Sequence, residues 1–152
     1  MKSCNKHAGF TLIELIVMLA IIATLTGIAV PIYLTYIPKA RLNGAVRMVI
    51  TDLMAARMKA VKLNTRTQVF FINDHQYMIC DDANHDKKVM KGEGNAQLRD
   101  IQREYGDVTL SANNEPKFLP RGSATNLVSI ILTNPGGSKK VTIAITGRIK
   151  DH

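Results

Sequence analysis

One carboxylate sits where chemistry makes it conspicuous. The 28 residues from Phe10 to Ile37, FTLIELIVMLAIIATLTGIAVPIYLTYI, contain a single charge, Glu14. A lone charge in hydrocarbon costs ~2.5–3.5 kcal/mol on insertion scales and marks a functional residue by default. Glu14 therefore calls for a cationic partner. A second constellation is Asp82, Asn84, Asp86 and Glu93, at positions one, three, five and twelve of a stretch that resembles a calcium loop. Its sixth position, where such loops need Gly for a sharp turn, is Lys87, and Lys88 follows. Those charges oppose a cation, so the stretch reads as a solvated hairpin loop, with no metal or other cofactor favoured. The four His, the acids and the two Cys fall into no nucleophile, metal or phosphate-loop pattern at useful spacing, which argues against an enzyme.

The element that must carry Glu14 is a membrane helix. The apolar block exceeds the ~20 residues needed to cross a bilayer. It is too long and too uniformly apolar for the core helix of a 152-residue chain, and longer than the ~7–15-residue apolar core of a secretory signal. Gly27 and Pro31 predict a kink or a locally melted stretch, because Pro removes a backbone donor and crowds the preceding turn. Pro38 adds a second bend beside Lys39 and Arg41. Beyond it, Leu42, Val46, Val49, Leu53, Ala56, Ala60 and Leu63 recur at steps of three and four, an apolar face for a continuing helix. Arg41, Arg47, Arg57, Lys59 and Lys62 make the other face basic. A single helix over residues 10–64 would be roughly 80 Å long at ~1.5 Å per residue.

From Arg66 onward, short runs rich in β-branched and aromatic residues alternate with Asn, Asp, Gly and Pro, the pattern of an antiparallel sheet. Strands are expected near 66–73, 75–80, 97–103, 107–111, 126–133 and 140–146, giving an α+β fold.

The leader MKSCNKHAG, followed by Gly9-Phe10-Thr11-Leu12-Ile13-Glu14-Leu15, resembles the class III signal of type IV prepilins and pseudopilins. In the second half, Phe118-Leu119-Pro120-Arg121-Gly122, the turn Asn134-Pro135-Gly136-Gly137 and a last strand ending Gly147-Arg148 resemble the GspH/FimT branch of minor pilins. The resemblance implies a pilin-like fold, with a long bent N-terminal helix packed on an antiparallel head, in a non-enzymatic filament subunit whose partners are other pilins. It divides the chain into a leader, 1–9, an assembly helix, 10–38, its amphipathic continuation, 39–64, and a head, 65–152. It implies cleavage between Gly9 and Phe10 by a prepilin peptidase, N-methylation of Phe10, and pairing of Glu14 with that amino group on a neighbouring subunit. It also places the leader in the cytoplasm and the head outside the inner membrane of a bacterium. The basic residues do not favour that orientation, since Lys2 and Lys6 precede the span and Lys39, Arg41 and Arg47 follow it. Cys4 would leave with the leader and Cys80 would remain as a packed apolar residue.

Net charge is +8, which raises the question of anionic partners. Lys139, Lys140, Arg148 and Lys150 cluster toward the end of the chain, and Gly147-Arg148-Ile149-Lys150 resembles the Gly-Arg-x-Arg tail with which FimT-like pilins bind DNA. Lys150 in place of the second Arg keeps a charge but loses the bidentate fork. Two further readings follow: a DNA-binding minor pilin of natural transformation, and a plain single-span membrane protein that keeps its leader.

Overall fold

The structure is a computed structural model describing residues 10–152. The residues before Phe10, including Gly9, Cys4 and the two leader lysines, lie outside that range. The chain divides into two units, the first ending at Tyr36 and the second running Ile37–His152. Helix α1, Leu12–Leu63, contributes to both.

In the first unit α1 begins with a cap. Thr11 Oγ1 accepts the backbone N–H of Glu14 at 3.3 Å, and Thr11 O accepts that of Leu15 at 3.2 Å. Thr11-x-x-Glu14 is thus the capping-box spacing, which satisfies donors that the first turn leaves free. The helix runs unbroken past Gly27 and Pro31, without the melted stretch that those residues allow. Three threonine hydroxyls of the apolar segment are satisfied locally. Thr24 donates to Ile21 O at 2.8 Å, Thr26 to Ile22 O at 2.7 Å, and Thr35 to Ile32 O at 2.9 Å. Hydroxyls bonded within their own helix are what a solvent without hydrogen-bonding partners demands.

In the second unit α1 is amphipathic. Leu42, Ala45, Val46, Val49, Leu53, Ala56 and Ala60 are buried together with Asp52. Leu63, expected on this stripe, stays 47% exposed, because it falls in the last turn, past the core cluster. The face opposite is not wholly basic either. Met54, Met58 and Val61 form an exposed apolar strip beside the cations.

The expected single sheet is two sheets of four strands each. The first comprises β1 (Thr67–Phe71), β2 (Gln76–Asp81), β3 (Gln97–Asp100) and β5 (Lys117–Phe118), in the order β3-β2-β1-β5. The second comprises β4 (Thr109–Ala112), β6 (Val128–Asn134), β7 (Gly137–Ile143) and β8 (Ile149–Asp151), in the order β4-β6-β7-β8. All pairings are antiparallel. β3 stops at Asp100, short of the expected 103, because Ile101 O accepts the N–H groups of Glu104 and Tyr105 in a helical turn. β5 and β8 are too short for periodicity to reveal.

The last expected strand, ending at Gly147-Arg148, is instead two strands around a turn. Gly147 N donates to Ala144 O at 2.8 Å and Ala144 N to Arg148 O at 2.9 Å, closing a three-residue hairpin loop with Gly147 at φ 81°. Loops of this length place a left-handed residue there, which favours Gly. A Cβ at Gly147 would also clash with Gly122 O.

One core joins the helix to both sheets. Val69, Tyr77 and Ile79 from the first sheet and Leu110, Val128, Ile130, Leu132, Val141 and Ile143 from the second meet the helix stripe, with Phe118 fully buried among them. Each such side chain contributes ~1.5–3 kcal/mol by leaving water. Two polar ties fix the helix in place. The Tyr77 hydroxyl donates to Asp52 Oδ2 at 2.6 Å, and Arg99 Nε approaches the same oxygen at 3.2 Å. Burial, reinforced by Asp52, pushes the Tyr77 phenol well above its ordinary range. At the other end Asn134 Nδ2 donates to Pro38 O at 2.7 Å, while its Oδ1 accepts Gly136 N at 2.9 Å.

Candidate assembly and ligand-binding sites

Glu14 lies in the third position of α1 with its backbone bonded to Thr11. Among the described residues its carboxylate makes no hydrogen bond and no ion pair. The apolar side chains around it are open as well, with Leu12 at 77% and Ile13 at 64% exposure. α1 is the one helix among the described residues long and apolar enough to cross a membrane, judged by length and composition. Phe10, the expected new N-terminus, is the first described residue and is 73% exposed. Gly9, on the other side of the expected cut, lies outside the description.

Each oxygen-bearing side chain of the Asp/Asn loop gives one oxygen to the loop's own backbone, while Asp82 Oδ1 and Glu93 Oε1 are buried without a hydrogen-bond partner among the described residues. Asp82 Oδ2 accepts Lys87 N at 3.0 Å, Asn84 Oδ1 accepts Asp86 N at 3.0 Å, Asp86 Oδ1 accepts Lys88 N at 2.7 Å, and Glu93 Oε2 accepts Met90 N at 2.9 Å. Among the described residues no group of three or more His, Cys, Asp or Glu converges on a point where an ion could sit. Lys87 nevertheless adopts φ 70°, the left-handed backbone that Gly supplies at this position of a calcium loop. The backbone turn is thus kept without the ligand geometry.

The four basic residues near the C-terminus separate. Lys140 pairs with Ile131 and Lys150 with Thr142, which puts both on the outer face of the second sheet, away from buried Val141 and Ile143. Lys139 alternates to the other face and lines a small cavity of about 260 Å³ with Lys39, Leu42 and Gly136. Arg148 is exposed in the hairpin turn, before β8. Cys80 is buried and free, packed in a small satellite cluster with Phe70 and Val89.

A contact that no local pattern signals joins three distant segments. Arg57 Nε donates to Gly122 O at 2.8 Å, and the Gly147 hairpin closes on the same carbonyl. The two sequence signatures of the head, Phe118-to-Gly122 and Gly147-Arg148, thus meet on α1.

A long N-terminal helix, apolar and then amphipathic, packed through its second part on two antiparallel sheets, is the pilin-like α+β architecture. Residues 45–147 match the family described as Type II transport protein GspH, and residues 4–30 match the prokaryotic N-terminal methylation motif. The chain belongs to the GspH family, within the type IV pilins and pseudopilins. It is similar to the pilin-like protein PilA1 of Thermus thermophilus, with 29% identity over 93% of this chain and 96% of that one. Its fold resembles that of the type IV minor pilin FimU of Pseudomonas aeruginosa, with a TM-score of 0.57 and 14% identity over 75% of this chain and 90% of that chain. It also resembles the minor pseudopilin EpsH of the Vibrio cholerae type 2 secretion system, with a TM-score of 0.57 and 9% identity over 74% and 96% of the two chains. Families of this kind are structural filament subunits that assemble with other pilin subunits.

Proposed function

We propose that this chain is a minor filament subunit that is cut between Gly9 and Phe10 by a prepilin peptidase, methylated at Phe10, and anchored in the bacterial inner membrane by the first part of α1. The head then lies on the periplasmic side. From there the subunit initiates, or sits near the tip of, a type IV pilus or a type II secretion pseudopilus. The observation that carries this reading is Glu14, the sole charge on the exposed apolar first part of α1, with no partner among the described residues of its own chain. A desolvated carboxylate demands a cation, and the amino group of Phe10 on a neighbouring subunit supplies one.

The expected outcome for Glu14→Gln is normal membrane insertion with loss of incorporation into filaments, read by membrane fractionation and by blotting sheared filaments. Normal incorporation would sink the pairing. A second reading, DNA binding, draws support from Lys140 and Lys150 sharing the outer sheet face. Arg148→Ala with Lys150→Ala should then weaken binding of all DNA sequences alike and flatten its salt dependence. Unchanged binding in a salt titration removes the tail from that reading.

A further inference from the structure

An open groove of about 910 Å³ runs along the last turns of α1, where the helix meets the Gly122 and Gly147 turns. Its surface is mostly apolar, with Met54, Met58, Val61 and Ile149 forming the floor, and Lys62 and Arg121 standing beside them. Among the described residues no acidic side chain lines it. Met58 is 67% and Val61 50% exposed, so the floor faces solvent. The groove is built rather than incidental. The Arg57 bond to Gly122 O fixes one wall, and the close approach of Gly147 to that carbonyl leaves no room there for a side chain.

Lys62 and Arg121 make no ion pair among the described residues, whereas the neighbouring Lys59 is held by Asp81 Oδ1 at 2.9 Å. The site thus combines unbranched, adaptable methionines with unpaired positive charge, the complement of an amphipathic helix whose apolar face is flanked by carboxylates. Two other occupants fit less well. A second copy of this chain stays basic even without Lys2 and Lys6 and would bring like charge to the groove. A lipid surface calls for a broad apolar face, whereas this floor lies in a groove between the helix and two turns with Lys62 and Arg121 beside it.

We propose that this groove docks an acidic amphipathic helix from a different polypeptide, its apolar residues against Met54, Met58 and Val61 and its carboxylates on Lys62 and Arg121. The proposal depends on the second unit alone and stands whichever filament the chain joins.

The test uses the full chain in membranes of its own host, with the photo-crosslinker p-benzoylphenylalanine placed at Met58 and the captured peptide sequenced by mass spectrometry. The expected product is a peptide of another protein, apolar on one helical face and bordered by Asp or Glu. Lys62→Glu with Arg121→Glu should abolish that crosslink, and exchanging the captured acids for Lys should restore it. Circular dichroism and proteolysis confirm that the charge-reversed chain is folded. Capture of a second copy of this chain, of lipid or of a basic segment would overturn the proposal. So would the absence of any crosslink, or a crosslink indifferent to the charge reversal.

Discussion

The two parts of α1 share a backbone geometry and differ in everything their side chains meet. From Leu12 to Tyr36 every residue is exposed, and the one charge has no partner among the described residues. From Leu42 to Ala60 a stripe of seven apolar residues is buried against two sheets, with Asp52 tied to Tyr77 and Arg99. A helix this long gains its stability from packing more than from propensity, so the first part needs a surrounding that the chain itself does not supply. The lesson is a division of labour: the second part holds the head together, and the first, on the proposed function, is left to lipid and neighbouring subunits.

That division can be broken at three strengths. The largest effect is expected from Leu53→Ala, which removes a side chain 2% exposed and should cost about 2–5 kcal/mol of head stability in thermal or denaturant unfolding. Leu19→Ala, the same change in the first part, should leave that transition where it is. Comparable losses from both would show that the head draws on the whole helix.

A smaller effect is expected at Tyr77. Tyr77→Phe strips Asp52 of its shortest hydrogen bond and should cost about 1–3 kcal/mol. The same change has a pH signature. An unfolded chain releases the phenol proton near its ordinary value of 10.0, while the folded chain retains it because burial and Asp52 raise the pKa. Stability supplied by Tyr77 is therefore complete below pH 10.0 and falls as pH rises past it. Parallel unfolding-versus-pH curves for the native chain and Tyr77→Phe would contradict that origin. The smallest effect on the head is expected from Glu14→Gln, which should leave its unfolding unchanged while blocking assembly.

The same contrast governs what was legible in the sequence. The apolar block, Glu14 and the stripe from Leu42 to Ala60 are local patterns of period and composition, and they appear where expected. The splitting of one sheet into two depends on which strands pair across long separations, as when β1 takes β5 for an edge and β4 joins β6. Gln68 opposite Lys117 is not written in either run alone. Asp52 carries no local signal because its partners, Tyr77 and Arg99, arrive from β2 and β3. Gly147 reads as the end of a last strand, and its close packing on Gly122 and Arg57, which makes it a turn residue, depends on three segments far apart in sequence. Lys139 was grouped with Lys140 by adjacency, and the period of two in β7 sends them to opposite faces. The Met54, Met58 and Val61 strip was masked by the cations interleaved with it.

The central claim is that the first part of α1 is the processed anchor of a filament subunit, and the most direct test is the covalent state of its start. Intact mass and N-terminal sequencing of the chain, purified from membranes of its own host, should find N-methylated Phe10 as the first residue. An intact Met1, or a cut beyond the apolar block, would contradict the claim.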